Sequence, residues 1–477
     1  MLITVADLAS AVGAPRIDGA AGDVVVTGLT WDSRDVAPGD LYVAFAGERV
    51  DGHDFAEAAV DAGAVAVLAT RDVDAVVPVI IVSDVAAAIT DLAKYWREQL
   101  TGTVVGLTGS SGKTTTKNLV RDVLAHDLTV VATKANQNNE LGVPATLLTA
   151  DHETDVVVVE MGMRGRGQIA ELAEIAQPDW GLITNVGTSH MELLGSRDEI
   201  ANAKAELYEA LPESYGIAFV NADDDYADYL LERGRFEERG VTPVYYSTAE
   251  DPAERTPLVW ASDVVFDGEG CPTFTMNAVG FEQLDLEESN GSMQCTLLLR
   301  GMHNVSNACA AAAVGLASGM TLASCCAALE AANPEKGRQV VHRTESGLTV
   351  IDDAYNANPD SMAASLSTFA AMSVAGRRLA VLGDMLELGD LSRESHERVG
   401  AQAAKAGLDA LVCVGELSRS IASGAVAAGM PESAVTTCDD AASALELVAS
   451  GLAPGDAVLV KASHSIGLER VVEGLVR

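Results

Sequence analysis

The chain has 477 residues, of which 48% are hydrophobic and only 4% aromatic. At roughly 150 residues per domain, this length predicts two to four domains. Acidic residues outnumber basic ones 69 to 31, which gives a formal net charge of −38. This balance argues against nucleic acid and anionic membrane surfaces as partners, because proteins bind both largely through Lys and Arg.

The cysteines and the N-terminus indicate the compartment. Seven cysteines are present, without any Cys-x-x-Cys pair, a pattern typical of reduced thiols in a reducing compartment. The N-terminus MLITVADLASAVG lacks a basic segment and contains Asp7, so no signal peptide is expected. Since no uninterrupted apolar run reaches about 18 residues, no membrane insertion is expected either. A cytoplasmic protein is the simplest interpretation.

The first hundred residues alternate short β-like runs with Ala-rich helical ones and end in a helix predicted from about Asp84 to Leu100. From 101 to 332, apolar strands such as VVVVE and GLITNVG alternate with helices. This is the βαβ rhythm of a parallel sheet covered on both faces.

Two later segments differ from this rhythm. Residues 240–300 are acidic, rich in Thr, Phe and Tyr, and interrupted by Gly and Pro, so we expect antiparallel strands attached to the sheet. The segment ANPEKG (332–337) is typical of a linker. Beyond it, a further strand–helix alternation to residue 477 predicts a third α/β domain.

The segment GLTGSSGKTTT (106–116) resembles a phosphate-binding loop with one departure. The usual pattern Gly-x4-Gly-Lys-[Ser/Thr] requires glycine at 107, where this chain has leucine. Such a turn can be merely structural, but a buried strand, small residues, Gly-Lys-Thr and a helix in this order favour a nucleotide site. We expect Lys113 to reach the β- and γ-phosphates and the Thr114 hydroxyl to bind Mg²⁺. The residues predicted to bind ATP here are Thr108, Gly109, Ser110, Ser111, Gly112, Lys113, Thr114 and Thr115.

The loop form TGSSGKTT resembles that of the Mur ligase family, ATP-dependent enzymes that join an amine to a carboxylate. Further segments match the family in order: TKANQNNELGVPATLL (133–148), EMG (160–162), NVGTSH (185–190), GMHNVSNACAA (301–311) and DDAYNANP (352–359). The resemblance covers nearly the whole chain apart from residues 240–300.

This resemblance implies an α/β protein of three domains. The first is an N-terminal α/β domain for the UDP-sugar substrate (1–100). The second is a central ATP-binding domain whose parallel sheet is of P-loop ATPase type with helices on both faces (101–332). The third is a C-terminal Rossmann-like α/β domain that contacts ATP and the incoming dipeptide (333–477).

The resemblance also implies a reaction. In the family, ATP phosphorylates a carboxylate and an amine attacks the acyl phosphate, which forms an amide. DDAYNANP and SRDVAPGDLYVAFAGERVDGHDF (33–55) are most similar to the member that adds D-Ala-D-Ala to UDP-N-acetylmuramoyl-tripeptide, a step of peptidoglycan synthesis. Two alternatives remain: a ligase of this family that adds a single amino acid or a glutamate, and a nucleotide-binding regulatory module. The third residue of the tripeptide is not encoded in any motif.

Two Mg²⁺ ions are expected, because a γ-phosphate and a carboxylate must meet inside an acidic protein. Glu160 offers the hard oxygen that Mg²⁺ prefers. A carboxylate there can also cap a turn, but its place at a strand end opposite the loop favours a ligand beside Thr114. His190 alone is more easily a structural histidine. The resemblance implies that it holds the second ion.

Lys204 lies two turns into a helix that Ser196 opens with a capping box. From the sequence alone, an ordinary solvated lysine is the simpler interpretation. The resemblance implies that Lys204 is carbamylated. Two dications about 4 Å apart repel by roughly 16 kcal/mol at an effective dielectric constant near 20, and a carbamate would supply anionic oxygens that bridge them. The resemblance thus implies a catalytic set of Lys113, Lys204 and His190.

The remaining assignments also follow from the resemblance. Asn304 is implied as an adenine contact, Arg338 as an ATP contact just past the linker, and Asp353 as an acidic partner on the ribose side. An ordinary surface arginine is the alternative for Arg338. Polar residues implied to contact the sugar nucleotide, the muramoyl-peptide or the dipeptide are Ser33, Arg34, Arg49, His53, Asn138, Asn139, Tyr355, Asn356, Asn358, Ser463 and His464. Asn and Ser are also ordinary turn formers. A monomer is expected.

Overall fold

A computed structural model describes residues 1–19, 23–47, 50–250 and 254–477 of the chain. Its main sheets follow one another along the sequence, with five, nine and six strands, and we call the corresponding regions the N-terminal, central and C-terminal parts. This confirms the predicted three-part α/β class. The domain limits predicted at 100/101 and 332/333 stay a prediction.

The N-terminal part has a mostly parallel sheet. Its strands are β1 (Ile3–Thr4), β2 (Arg16–Asp18), β3 (Val25–Val26), β4 (Gly28–Thr30), β5 (Asp40–Val43), β6 (Ala66–Ala69) and β7 (Val79–Ile81), and its helices are α1 (Val5–Ala11), α2 (Ala56–Ala62) and α3 (Val85–Arg97). The sheet order is β2-β7-β6-β5-β4, with β2 antiparallel to β7, and β1 pairs separately with β3.

Helix α3 shows why the prediction for this region holds. The Asp84 side chain accepts the backbone N–H groups of Ala86 and Ala87 and so caps the helix. Apolar residues three and four apart, such as Val85, Ile89 and Leu92, are buried. At the other end, Trp96 donates its indole N–H to the carbonyl of Ala150 at 2.9 Å, which attaches the N-terminal part to the central part.

The central part contains the largest sheet. Its strands are β8 (Thr103–Thr108), β9 (Val130–Ala132), β10 (Val156–Glu160), β11 (Trp180–Ile183), β12 (Ile217–Asn221), β13 (Thr242–Ser247), β14 (Leu258–Phe266), β15 (Pro272–Val279) and β16 (Gly291–Thr296). Its helices are α4 (Lys113–Leu124), α5 (Gly142–Thr149), α6 (Gln168–Ala176), α7 (Met191–Leu194), α8 (Arg197–Glu209), α9 (Ala227–Arg233), α10 (Phe236–Arg239), α11 (Met302–Ala317) and α12 (Leu322–Ala331).

The order of these strands sets the position of the site. It reads β16-β15-β14-β13-β12-β11-β8-β10-β9, so β8 lies between β10 and β11 and is parallel to both. The next two strands of the chain, β9 and β10, lie on one side of β8, and β11 lies on the other. Ligands of open α/β sheets bind at such a switch point, beyond the carboxyl ends of the strands.

The prediction for residues 240–300 is partly right. Strands β14, β15 and β16 are antiparallel, as expected. Strand β13 is instead parallel to both β12 and β14. The connection between β13 and β14 is longer than a hairpin turn, so it can return the chain to the same end of the sheet.

The tip of the β14–β15 hairpin contacts the C-terminal part. Glu269 at this tip pairs with Arg300 of the central part at 3.2 Å and with Arg343 of the C-terminal part at 2.6 Å. The backbone N–H of Ser373 also donates to the carbonyl of Gly268. The acidic segment therefore joins the two parts.

The C-terminal part is a third α/β layer structure. Its strands are β17 (Val340–Arg343), β18 (Thr349–Asp352), β19 (Arg378–Gly383), β20 (Ala410–Val414), β21 (Val435–Cys438) and β22 (Ala457–Lys461), and its helices are α13 (Pro359–Ala371), α14 (Ser392–Lys405), α15 (Arg419–Ala427), α16 (Ala441–Ala449) and α17 (Glu469–Val476). The order is β17-β18-β22-β19-β20-β21, with β17 antiparallel at the edge. Across the described residues, no helix combines the length and apolarity needed to cross a membrane.

Helix α11 depends on small side chains, because it packs between α4 and the sheet. Ala311 on this helix is fully buried, so Ala311→Leu adds volume to a filled core. We expect a loss of about 1–3 kcal/mol in the free energy of unfolding, measured by urea titration. The same change at Ala331, which is exposed at the end of α12, should cost less than about 0.5 kcal/mol. Equal losses in the two variants would contradict this packing.

Candidate active site

The phosphate loop follows β8 and is shaped by two glycines. Gly112 has φ +79° immediately before α4, a conformation that favours glycine. A Cβ on Gly109 would lie 1.8 Å from Thr184 Oγ1. Thr108, at the end of β8, is buried and donates to the carbonyl of Met161 at 2.9 Å, so it joins neighbouring strands beneath the loop.

Asn185 lies just after β11 and holds this loop; it opens the segment NVGTSH, but the sequence assigned it no role of its own. Its carbonyl accepts the N–H of Ser110 at 3.0 Å, and its Oδ1 accepts the N–H of Ser111 at 3.0 Å. The ammonium of Lys113 folds back over the loop and donates to the carbonyl of Gly109 at 2.8 Å. Desolvation lowers the pKa of Lys113, and the charge of Glu160 opposes this shift.

Glu160 ends β10 beside the first turn of α4. It is 1% exposed, and its Oε1 accepts from Thr114 Oγ1 at 3.3 Å and from Asn138 Nδ2 at 2.9 Å. Its Oε2 is buried without a hydrogen-bond partner among the described residues. A buried carboxylate oxygen in this state needs a cation or a donor, so Glu160 and Thr114 fit a Mg²⁺ ion.

Lys117 is a further buried lysine near Glu160 that the sequence analysis did not select. It lies one turn after Lys113 on α4, is 1% exposed, and donates to the carbonyls of Thr133 at 2.7 Å and Ala135 at 3.3 Å. Lys117 follows Lys113 by four residues, one helical turn, and this spacing could have indicated that both lysines lie on the same face of α4. These bonds fix the start of the segment that carries Asn138 and Asn139.

His190 lies where α7 begins, with φ +63°. Its Nδ1 is 2.6 Å from Oε2 of Glu387, which belongs to the C-terminal part. Burial and the charge of Lys113 lower the pKa of His190, while Glu387 opposes them.

Lys204 is inside the protein, in disagreement with the solvated alternative. It is 1% exposed on α8. Burial, followed by the charge of Lys113, lowers the pKa of Lys204 well below its usual value, with Asp224 acting in the opposite direction. A neutral amine is therefore favoured at this position far more than on a surface lysine.

A cavity of about 1650 Å³ lies between the central and C-terminal parts. It brings together most of the predicted residues: Ser110, Ser111, Gly112, Lys113, Thr114, Thr115, Asn138, Asn139, Glu160, His190, Asn304, Arg338, Asp353, Tyr355, Asn356 and Asn358. Thr108, Gly109 and Lys204 lie outside this lining, although the first two belong to the same loop and Lys204 acts electrostatically on His190.

The residues predicted to contact ATP are fixed by neighbours. Asn304 donates to the carbonyl of Arg300 at 2.7 Å and accepts from Asn307 at 3.0 Å. The guanidinium of Arg338 lies 4.2 Å from the ring centroid of Tyr355, so it is a packed cation rather than a free surface arginine.

Lys461 is a further cation of this cavity that sequence analysis missed. Its ammonium lies 2.9 Å from Asp353 Oδ2, and both side chains are less than 10% exposed. It also donates to the carbonyl of Asn356 at 2.9 Å. The pair places a fixed carboxylate and a fixed ammonium beside the nucleotide-binding loop.

Asn358 contacts the phosphate loop directly. Its Nδ2 donates to Ser111 Oγ at 2.8 Å and to Ser189 Oγ at 2.6 Å, while its Oδ1 caps α13. Asp360, on the same turn, accepts the N–H of Thr188 at 3.1 Å. The beginning of α13 therefore closes on the loop, although the sequence suggested a place near the dipeptide.

Some predicted residues also make contacts within their own part of the protein. Ser463 is 4% exposed and accepts the N–H of Leu386 at 3.0 Å, so it supports the interior of the C-terminal part. His464 is exposed, and its ring centroid is 5.8 Å from that of Tyr355. Asn139 accepts the N–H of Gly142 at 3.0 Å and starts α5.

Of the four residues predicted in the N-terminal part, Ser33, Arg34 and His53 lie apart from this cavity. The Arg34 side chain is 85% exposed and pairs with Asp32, which lowers the pKa of Asp32 to about 2. Ser33, next to it, is partly exposed. His53 is buried, with Nδ1 2.6 Å from Asp51 and Nε2 accepting the N–H of Thr70. Both of its ring nitrogens are thus used internally, and the substrate contact expected of His53 stays a prediction. Arg49 lies outside the described residues.

Three family models match the chain in sequence order. The Mur ligase family, catalytic domain model matches residues 25–97, the Mur ligase middle domain model matches 107–315, and the Mur ligase, glutamate ligase domain model matches 337–464. The chain belongs to the Mur ligase family.

Curated relatives are similar over their full length. The UDP-N-acetylmuramoyl-tripeptide–D-alanyl-D-alanine ligase of Mycobacterium tuberculosis (strain H37Rv) is 40% identical, covering 99% of this chain and 98% of the relative. The ligase of the same name from Escherichia coli K12 is 35% identical, covering 95% and 94%.

Solved structures agree with this family membership. MurF from Acinetobacter baumannii superposes with a TM-score of 0.83 at 29% identity, covering 100% of this chain and 99% of that one. MurF from Thermotoga maritima in complex with ADP gives 0.75 at 28% identity, covering 94% and 97%. Folylpolyglutamate synthase of M. tuberculosis, at 18% identity and a TM-score of 0.60, shares the fold.

The burial of Lys204 in this Mur ligase can be tested through the free energy of unfolding. Because burial lowers the pKa of Lys204, the unfolded chain binds this proton more tightly, and the cost of the lysine grows as pH falls. Lys204→Met should therefore raise the free energy of unfolding by about 1–3 kcal/mol at pH 6, and by less at pH 9. Urea unfolding in CO₂-free buffer measures both values.

Lys94→Met is the matched control, since Lys94 is a partly exposed lysine on α3 that pairs with Glu174. It should change the free energy of unfolding by less than about 0.5 kcal/mol at either pH. A pH-independent effect of Lys204→Met would contradict the burial of a titrating amine.

Proposed function

We propose that this chain joins D-Ala-D-Ala to UDP-N-acetylmuramoyl-tripeptide with ATP, giving UDP-N-acetylmuramoyl-pentapeptide, ADP and phosphate. The observation that carries the proposal is 40% identity, over practically the full length of both chains, to a ligase whose name states this activity. The family member that adds diaminopimelate shares only 18% identity with this chain. We place the reaction in the cytoplasm, in keeping with seven free cysteines.

The regulatory-module alternative is not favoured. A module that only binds nucleotide needs the phosphate loop, whereas this chain also brings Glu160 and His190 to the same cavity. Lys204 is buried close enough for its charge to act on His190. A ligase requires such a set because it must neutralise two anionic reactants.

The chain would bind ATP through the loop and the surrounding polar groups. The start of α4 favours an anion, whereas the N–H groups of Ser110 and Ser111 are already held by Asn185. Lys113 would be the cation that reaches the transferred phosphoryl group. Asn304, Arg338 and Asp353 would contact the remainder of the nucleotide. Arg338 reaches it from beyond the linker, so its stacking on Tyr355 orients it before the nucleotide arrives.

Thr114 and Glu160 would hold one Mg²⁺, and His190 with a carbamylated Lys204 would hold a second. When bound, these ions screen the γ-phosphate and the tripeptide carboxylate from each other and polarise the transferred group. The buried oxygen of Glu160 that has no partner among the described residues supports the first position.

The chemistry of Lys204 supports its carbamylation. The neutral amine nitrogen attacks CO₂, forms an N–C bond and releases one proton, which leaves an anionic carbamate. Burial favours that neutral amine. The product replaces a cation that would repel Mg²⁺ with oxygens that bind it.

The C-terminal part would complete the site by closing on the loop. The contacts of Asn358 with Ser111 and Ser189 fix α13 against the phosphate-binding residues. The acyl phosphate would then form inside the cavity, where the amine of the dipeptide attacks its carbonyl carbon and releases phosphate. Ser33 and Arg34 would bind the sugar nucleotide from the N-terminal part, and Asn138 and Asn139 would face its muramoyl-peptide. The enzyme is proposed to act as a monomer.

Phosphate release in the presence of different amines tests the activity. With ATP and either the lysine-type or the diaminopimelate-type UDP-muramoyl-tripeptide, D-Ala-D-Ala should stimulate release, and D-Ala or meso-diaminopimelate should not. Lys113→Ala should reduce release at least 100-fold, the scale of a lost transition-state donor, whereas Lys94→Ala should retain it. Stimulation by a single amino acid would favour a family member that adds one amino acid. Slow ATP hydrolysis that no amine changes would favour the regulatory module.

Chemical rescue tests the role of Lys204. Lys204→Ala should have less than about 1% of wild-type activity, and acetate or another short carboxylic acid should restore part of it, because a small anion can enter the vacated space and supply oxygens. The same acids should not rescue Lys113→Ala. Absence of rescue together with activity that is independent of bicarbonate would contradict the carbamate.

A further inference from the structure

The segment 384–391, between β19 and α14, connects the C-terminal part with the candidate metal residues of the central part. We call it the β19–α14 loop. On one side, the N–H of Leu386 donates to Ser463 Oγ at 3.0 Å, which anchors the loop to the C-terminal part. On the other side, the carbonyl of Glu387 accepts the N–H of Glu192 on α7 at 3.2 Å. The loop is therefore held from both parts.

The backbone of this loop is shaped for a close approach. Glu387 has φ +62°, a conformation that is uncommon for a residue other than glycine. A Cβ on Gly389 would lie 3.0 Å from the Cα of Glu192, so the two backbones are in near contact. This arrangement directs the Glu387 side chain to His190, with Oε2 2.6 Å from Nδ1.

The contact determines which ring nitrogen of His190 is free. A carboxylate accepts a hydrogen bond, so Nδ1 carries the proton and Nε2 keeps its lone pair. Metal-binding histidines commonly have this arrangement, in which a carboxylate fixes the tautomer and raises the basicity of the ligand nitrogen. Here the carboxylate comes from a different part of the protein from the histidine.

We propose that Glu387 is a positioning residue that couples the metal affinity of His190 to closure of the C-terminal part on the central part. The inference rests on the proposed function, because that function assigns a Mg²⁺ ion to His190. Opening would separate Glu387 from His190 and weaken the ion's site. By linkage, a bound ion favours the closed arrangement to the same degree.

A simple surface ion pair is the competing explanation. The Glu387 side chain is 43% exposed, and exposed pairs typically contribute only about 0–1 kcal/mol to stability. Such a pair would leave metal affinity unchanged. The two explanations therefore differ in a binding measurement that does not involve turnover.

Mn²⁺ in the presence of ADP is the probe, used with the full-length chain. Titration followed by electron paramagnetic resonance gives the affinity, and nitrogen modulation of the electron spin echo identifies the ion bound to an imidazole. We expect modulation in the wild type and none in His190→Ala. Glu387→Ala should weaken the affinity of that ion about 10–100-fold, with Glu387→Gln between the two.

Asp390→Asn is the matched control, since Asp390 is an exposed carboxylate of the same loop, and it should stay within twofold of wild type. Small-angle X-ray scattering adds a second readout: Mn²⁺ with ADP should compact the wild type more than Glu387→Ala. Because Glu387 is partly exposed, its variants should still fold, and thermal melting checks this. The Gln variant also keeps the side-chain volume.

Two outcomes would overturn the coupling and are distinguishable. If Glu387→Ala binds Mn²⁺ within twofold of wild type and compacts equally, the coupling is wrong while the metal role of His190 stands. If the wild type shows no nitrogen modulation, the metal role of His190 in the proposed function is wrong, and the coupling is wrong with it.

Discussion

The site depends on an electrostatic imbalance inside an acidic protein. The chain has a net charge of −38, yet the charge of the buried Glu160 acts on two lysines of α4, Lys113 and Lys117, and the charge of Lys113 acts on a third buried lysine, Lys204. Desolvation disfavours all three ammonium groups. The bonds of Lys113 and Lys117 to backbone carbonyls compensate part of this cost. A triphosphate would supply an anion for Lys113, which lines the cavity, so nucleotide binding would offset part of the cost of desolvating this lysine.

The site is assembled from separate parts of the chain. The central part supplies the loop and Lys113, and the C-terminal part supplies Arg338 and Lys461. From the C-terminal part, Asn358, Asp360 and Glu387 also contact Ser111, Thr188 and His190, respectively. Interactions made only on closure can favour the reacting arrangement over the substrate-free one. The N-terminal part contributes no lining residue to this cavity within the described ranges.

Local patterns in the sequence predict much of this arrangement. The phosphate loop, the strand ending in Glu160 and the helix carrying Lys204 are all encoded by short-range signals. The burial of Lys204 also had a signal, because Ala201, Ala205 and Tyr208 share its helix face. Glu387 and Lys461 could not be predicted, since their partners His190 and Asp353 are distant in sequence and meet only through sheet order. The internal contacts of His53 were equally out of reach, because Thr70, which donates to Nε2, is 17 residues away.

The β14–β15 hairpin joins the central and C-terminal parts through one carboxylate, that of Glu269. Glu269 joins arginines on both sides of the linker, but Arg343 is 62% exposed and Arg300 only 10%. Dissolved ions screen the exposed half of this pair far more than the buried half. Rising ionic strength should therefore weaken the Glu269–Arg343 contact more than the Glu269–Arg300 contact. Salt would thus loosen the attachment of the hairpin to the C-terminal part while the hairpin stays bound to the central part.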